Sequence, residues 1–341
     1  MRPVLKAGLR PVWRDDSTLQ IGLDPAHAVV IGGLDASAAR LVGCLDGTRD
    51  LAGLRAAAHE LGITPERAER LLDLLRHGGA LDDRGADSRP MAALHRDERD
   101  RLAPDVTAAG LVRGGADGGA AMLARRRAAR VGVTGAGRVG ATVVTLLAAA
   151  GVGAVSVEDD RPTRLIDLAP GGLRSDALGA PRDRAACRAA RQVAASVRTD
   201  KGRPPQLHVV AATPDPEQDA RLLRSGTPHL YVGVRESTAV VGPLVLPGRS
   251  SCLRCHDLHR SDRDPAWPTI TAQLRGGSPQ PGADTVLATA AAAHTVLQAL
   301  AFLDGEPWPS AVDGTIEIGL ADGAVRRRSW SVHPRCGCDW T

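Results

Sequence analysis

Arg130-Val131-Gly132-Val133-Thr134-Gly135-Ala136-Gly137-Arg138-Val139-Gly140 is the stretch whose reading decides the fold. Arg130 to Thr134 reads as a buried strand, and the glycines at 135, 137 and 140 allow a tight turn into a helix predicted over Val139 to Ala150. A second strand is predicted at Ala154 to Glu158, and it runs into Asp159 and Asp160. Glycines at such a turn let a phosphate approach the backbone, the helix amino terminus attracts the anion, and an acidic side chain after the second strand can bond ribose hydroxyls. The motif therefore fits a nucleotide site at Gly135, Gly137, Gly140, Glu158 and Asp160, or a fold of that type that has lost its ligand.

The alternation continues outward. A helix at Arg182 to Ser196 and strands at His208 to Ala212 and Leu230 to Val234 predict a parallel, doubly wound α/β sheet of Rossmann type. Beyond it come a strand at Ala239 to Leu246, an irregular stretch at Pro265 to Pro281 and an alanine-rich helix at Asp284 to Leu303. A hairpin of Thr315 to Leu320 with Ala324 to Val332 turns at Asp322-Gly323. Upstream, Thr18 to Gly22 and His27 to Ile31 read as short strands. Asp35 caps a helix to about Cys44, and Leu51, Leu54, Ala58 and Leu61 recur at helical spacing. Thr64-Pro65 opens a third helix with Leu71, Leu74 and Leu75 facing inward, before a strand at Ala80-Leu81. Residues 1–84 are thus expected to form a small winged-helix-like α+β domain, 85–128 a linker with helical pieces, and 129–341 the larger domain.

Composition narrows the function classes. With 43% hydrophobic and 24% charged residues the chain is neither disordered nor a membrane protein by composition. No segment looks near the roughly 20 apolar residues of a membrane span, and no signal peptide opens the chain, so a cytoplasmic protein is expected. A net charge of +4 with 2% aromatics offers no base-stacking platform, so nucleic acid is not an expected partner. Only Lys6 and Lys201 are lysines, so any chemistry needing a lysine has two candidates.

Cys252-Leu253-Arg254-Cys255 and Cys336-Gly337-Cys338 are two close cysteine pairs. In a reducing compartment two such pairs predict one tetrahedral structural zinc ion on Cys252, Cys255, Cys336 and Cys338, closed to water and hence not catalytic. His256, His259 and His333 lie near enough in sequence to be alternative ligands. Cys44 and Cys187 read as small packing residues with no base beside them.

From Gly135 onward these elements together resemble the ThiF/MoeB superfamily of ubiquitin-activating-type adenylyltransferases. The residues carrying the resemblance are the glycine loop, Glu158-Asp159-Asp160, Gly179-Ala180-Pro181-Arg182, the strand end at Thr213, Gly242 and the cysteine pairs. Val241 to Gly248, Cys252 to Arg260, Asp264-Pro265-Ala266-Trp267-Pro268 and Gln273-Leu274 are similar to one branch, the leader-peptide-binding partner proteins of thiazole/oxazole-modified microcin biosynthesis. The amino-terminal unit resembles a PqqD-like precursor-recognition domain. In active members a lysine contacts phosphate where Arg182 stands, and an aspartate holds magnesium where Pro214 stands, with Asp215 one residue away. The Ser/Asn-Leu-x-Arg-Gln run of active members is replaced by Arg161-Pro162-Thr163-Arg164. These departures imply lost magnesium–ATP chemistry, as in the microcin branch, where a YcaO-type enzyme uses the ATP.

The resemblance implies a protein that captures the leader of a ribosomally made precursor peptide and presents it to a YcaO cyclodehydratase, and it implies a homodimer. The leader would pair with the His27 to Ile31 strand and meet Val29, Ile31, Leu71 and Leu75. An active ATP-dependent adenylyltransferase with Glu158 on ribose and Arg182 on phosphate is the second reading. An NAD(P)-dependent oxidoreductase is the third, resting on the glycine loop and Glu158 alone.

Overall fold

The computed structural model describes residues 1–86, 89–112, 115–200, 202–276 and 283–338, so the readings at Lys201 and at residues 277–281 lie outside the described residues. The chain divides into two compact units, Met1–Ala124 and Arg125–Thr341.

In the first unit, β1 (Pro3–Leu5), β2 (Pro11–Trp13), β3 (Leu19–Ile21) and β4 (Val29–Ile31) precede α1 (Ala36–Gly43), α2 (Leu51–Glu60), α3 (Pro65–His77) and β5 (Leu81–Asp83). β2, β3 and β4 form an antiparallel sheet in that order, which leaves β4 at an edge, while β1 pairs antiparallel with β5. Each helix starts where a side chain answers an orphan amide. Asp35 accepts from the Ala38 amide at 2.8 Å, Asp50 from Gly53 at 2.8 Å and Thr64 from Arg67 at 3.4 Å, and such caps contribute about 1 kcal/mol each. Ile21, Leu41, Leu54 and Leu75 are fully buried between sheet and helices.

The stretch expected as a linker is largely structured. α4 (Arg89–Ala92), α5 (Arg96–Val112) and α6 (Ala120–Ala128) follow β5, and Leu94, Leu102, Val106 and Leu123 bury one another. Lys6 is buried here, its Nζ donating to the Gly110 and Gly115 carbonyls at 2.7 and 2.6 Å and lying 3.1 Å from Asp82. That lysine is committed to structure.

The second unit is built on a seven-stranded sheet. Its elements are β6 (Arg130–Thr134), α7 (Arg138–Ala149), β7 (Ala154–Glu158), α8 (Arg182–Val193), β8 (Leu207–Val210), α9 (Pro216–Arg224), β9 (His229–Arg235), β10 (Thr238–Val245), α10 (Leu253–Arg263), α11 (Trp267–Gly276), α12 (Thr285–Leu303), β11 (Gly314–Gly319) and β12 (Val325–Ser329). The strand order is β12-β11-β10-β9-β8-β6-β7. β7, β6, β8 and β9 are parallel, as the alternation predicts, but β9 to β12 are antiparallel to one another, so the sheet is mixed. The reason is local: Glu236-Ser237 joins β9 to β10, and a connection that short can only reverse the chain. Trp267–Gly276 is helical where the sequence predicts an irregular stretch.

α12 corrects the expectation about apolar segments. Among the described residues it is the one helix long and apolar enough to cross a membrane, 19 residues with a mean hydropathy of 1.7. In the fold one side of it, including Leu287, Ala291, Ala292, Val296 and Ala299, is buried in the main core with β9, β10 and α7, while Val286 and Leu297 are exposed. Its carboxyl end is anchored by Asp304, which pairs bidentately with the buried Arg126 at 2.8 and 2.6 Å.

Candidate functional site

β6 delivers its last residue, Thr134, to Gly135, whose φ of +87° belongs to the left-handed region and whose added Cβ would stand 2.7 Å from the Ala211 carbonyl oxygen. At Gly140 the demand is steeper, since a Cβ there would lie 1.9 Å from the carbonyl oxygen of Gly135. Gly137 takes the N-cap position of α7 with no side chain to cap it. The turn predicted from the glycine spacing is the turn observed.

What faces that turn is a closed set of charges. The Ala136 amide donates to Asp159 Oδ2 at 2.8 Å, and Arg161 grips the same carboxylate with two bonds of 2.7 and 2.8 Å. Arg182, buried at the start of α8, lies 3.6 Å from Asp159 and pairs with Asp167 at 2.6 Å. Its Nε is buried without a hydrogen-bond partner. Burial pushes the Asp159 carboxyl up, but the bonds from Arg161 and the Ala136 amide, with the charge of Arg182, outweigh it and hold the group below the usual carboxylate range. Glu158 and Asp160 flank this set and are exposed. Arg138, inside the glycine loop, donates instead to the Ala283 carbonyl and to Thr285 Oγ1 at 2.7 and 3.0 Å, at the start of α12.

The carboxylate nearest the expected magnesium position is also engaged. Asp215 is the N-cap of α9, accepting from the Glu217 and Gln218 amides at 3.2 Å each, with Pro216 in the first helical turn and Pro214 before it. The signal for this role is Asp-Pro at a helix start, and it is legible only once α9 itself is recognised.

The four cysteines converge. All four sulfurs lie within 4.8 Å of one another, with Cys252–Cys336 at 3.6 Å, Cys255–Cys338 at 3.4 Å and Cys252–Cys255 at 3.9 Å. Zinc–sulfur bonds of about 2.3 Å require tetrahedral edges of roughly 3.8 Å, so the donor set fits one zinc ion. Cys252 stands at the N-cap position of α10 without a side-chain capping bond, and the amino-terminal dipole of that helix favours thiolates. The hydrogen bond between Cys252 and Cys255 takes Cys255 down to about 4 and drives Cys252 up, while burial raises Cys336 and Cys338. Four thiolates cannot coexist there without a cation.

The three neighbouring histidines are otherwise occupied. His256 Nε2 meets Ser251 Oγ at 3.2 Å, His259 meets the Ser331 carbonyl at 3.0 Å and His333 meets Asp262 at 2.8 Å. Cys44 and Cys187 are half-buried and apart from the cluster, and burial raises the Cys187 thiol. Beside the cysteines a cavity of about 600 Å³ opens between α9, α10 and α11, lined by Asp219, Leu223, Leu253, Leu258 and Trp267 among others.

In the first unit the expected peptide contacts divide. Ile31, Leu71 and Leu75 are core residues and Val29 is half-buried, whereas Val30 and Leu74 carry the exposed apolar surface of β4 and α3.

Solved structures share this fold over their full length. E. coli MccB with AMPCPP and MccA superposes with a TM-score of 0.77 at 15% identity, covering 100% of both chains. The chain has the fold of MccB. MccB bound to N-formylated MccA, described as a microcin C7 biosynthetic enzyme, gives 0.75 at 16% over 99% of this chain and 100% of that one. PaaA gives 0.73 at 18% over 96% and 100%. The ThiF-type fold expected from the resemblance is thus the one observed, and at these identities the likeness is one of fold. No family model matches the sequence, and no curated protein does.

Proposed function

We propose that this chain binds a ribosomally made precursor peptide through its leader and presents it to a modifying enzyme of the YcaO cyclodehydratase type, while its own nucleotide-type domain serves as a zinc-stapled scaffold. The observation that carries the reading is the pair Pro214 and Asp215: the first has no ligand atom in its side chain, and the second spends its carboxylate on the α9 cap. The charge network agrees with it, because Asp159 and Asp167 already pair Arg182 and Arg161. Peptide capture is supported by β4, an edge strand beside which a leader could add as a further strand, and by the solved complexes of MccB with MccA. In this reading the first unit is the winged-helix-like recognition domain, and Val30 and Leu74 join Val29 as its apolar contacts. Zinc would be held by Cys252, Cys255, Cys336 and Cys338 and would close the fold. The exposed Val286 and Leu297 of α12 favour a second copy of the chain as a further partner.

The test is fluorescence anisotropy of the full chain with leader peptides encoded beside its gene. Saturable binding that Leu74→Asp weakens at least tenfold supports the proposal; absence of binding above a scrambled peptide removes it. An active adenylyltransferase is the second reading, favoured by the intact glycine turn and by the ATP and AMPCPP complexes of MccB. Peptide-dependent exchange of pyrophosphate into ATP would establish it over the first.

A further inference from the structure

We propose that the arginine-rich face around Trp330 docks an acidic, extended segment of a partner protein, which adds to the free edge of β12. This site is on the second unit and is independent of leader capture by the first.

A fixed indole lies at the centre of this face. Trp330 is 4% exposed, stacked by His256 at 4.7 Å and bonded through Nε1 to Thr315 Oγ1 at 3.1 Å, so its position is set. Three guanidinium groups gather over it: Arg260 at 4.9 Å, Arg263 at 5.6 Å and Arg328 at 5.9 Å from the ring. A ring face attracts one cation; three bring mutual repulsion that carboxylates must relieve. Asp257 pairs with Arg260 at 3.5 Å and Glu317 with Arg328 at 3.1 Å, but among the described residues no carboxylate is paired with Arg263 or with the nearby Arg235, and both are exposed. Burial, and after it the charge of Arg235, lowers the proton affinity of Arg260, which places Arg235 within electrostatic reach of the cluster. The face is short of negative charge.

The shape of the deficit names the ligand class. β12 is the last strand of the seven-stranded sheet and is exposed at every residue, so its outer edge has room for a further strand. Arg326, paired with Asp322 at 2.9 Å, and Arg328, paired with Glu317, share one face of β12 and keep their side chains exposed, whereas Arg327 points to the other face and spends its donors on the Ser310 and Val312 carbonyls. An extended segment with acids at alternate positions would match that two-residue period, continue the sheet and end over Arg263. Guanidinium forks suit carboxylates for this purpose. Trp330 is buried, and Arg260 lies over the half-buried Trp267 as well at 5.1 Å, so the central indole offers a nucleobase no open face, and this favours a polypeptide over a nucleic acid.

The experiment uses the full chain and a labelled peptide of alternating glutamate and valine, read by fluorescence anisotropy at low salt. Its companions are the same peptide with alternate backbone amides methylated, a lysine–valine peptide and a single-stranded DNA oligonucleotide. We expect binding of the acidic peptide that weakens at least tenfold in Arg235→Glu/Arg263→Glu and at least tenfold on amide methylation, with Arg55→Glu as an unaffected control. Both replaced arginines are exposed, and circular dichroism checks that the variant folds. Equal affinity of variant and parent, equal affinity of the methylated peptide, binding of the lysine–valine peptide as tight as that of the acidic one, tighter binding of the DNA, or no binding of the acidic peptide would each overturn the proposal.

Discussion

Replacing Cys338 by serine tests the metal centre through two separable quantities. The Cys338 sulfur sits 3.4 Å from that of Cys255, 83 residues earlier, so the metal closes a loop containing α11, α12, β11 and β12. If a structural zinc centre contributes about 10–16 kcal/mol through four ligands, loss of one thiolate removes about 3 kcal/mol, or roughly two orders of magnitude in zinc affinity. Where the metal is lost altogether, releasing a loop of that length costs about 4–5 kcal/mol by the chain-entropy relation used for disulfides. For a domain of roughly 200 residues this corresponds to a fall in Tm of about 10–15 °C. Elemental analysis should find one zinc per parent chain and much less than one in the variant after dialysis against a competing chelator. Calorimetry should find the matching fall in Tm, with Cys44→Ser as a control that changes neither. Full zinc occupancy in Cys338→Ser after chelation, or an unchanged Tm with the metal gone, would refute the reasoning that this centre staples the fold.

Asp304→Ala leaves Arg126 as a buried unpaired charge and should cost about 3–5 kcal/mol in urea unfolding, whereas Arg126→Met/Asp304→Leu should recover most of it; equal losses would contradict this account. Gly140→Ala forces a Cβ against the Gly135 carbonyl oxygen and should destabilise the second unit by about 3 kcal/mol, a cost that an unperturbed midpoint would deny. Burial, as the largest cause, lowers the pKa of His208 to about 4 from its ordinary value of 6.5. Above pH 6.5 neither the folded nor the unfolded state is protonated there. As pH falls from 6.5 toward 4 only the unfolded state gains the proton, so roughly 1 kcal/mol of stability per pH unit should be lost in that window, and His208→Gln should flatten the slope of stability against pH measured by urea titration.

The parts of this fold that are legible in sequence are those with strong local signals. Glycine spacing after a β-branched strand announces β6, the turn and α7, and two cysteine pairs announce the metal cluster, because in each case the chemistry is compressed into a few residues. α9 and α10 are not legible. Pro214-Asp215-Pro216 reads as a breaker until Asp215 is seen capping, and Leu253–Arg263 is too polar to show an apolar stripe. β1 and β2 are three residues long and begin with proline, which hides them. The inward prediction is sound as packing for Leu71 and Leu75, which for that same reason make poor peptide contacts, but it is wrong for Leu74, which is exposed; an apolar residue beside the buried stripe reads as part of it. Arg182 is visible as a substitution for lysine. Its partnership with Asp167 is not, since the two are joined only through irregular chain.

Asp159 gives the glycine turn a meaning that its glycines alone do not. A loop that ordinarily waits for an incoming phosphate here carries a resident counter-ion: one side chain occupies the Ala136 amide and is itself held in place by two arginines. The turn is held by the chain's own groups, and a phosphate approaching the Ala136 amide would have to compete with the protein's own carboxylate.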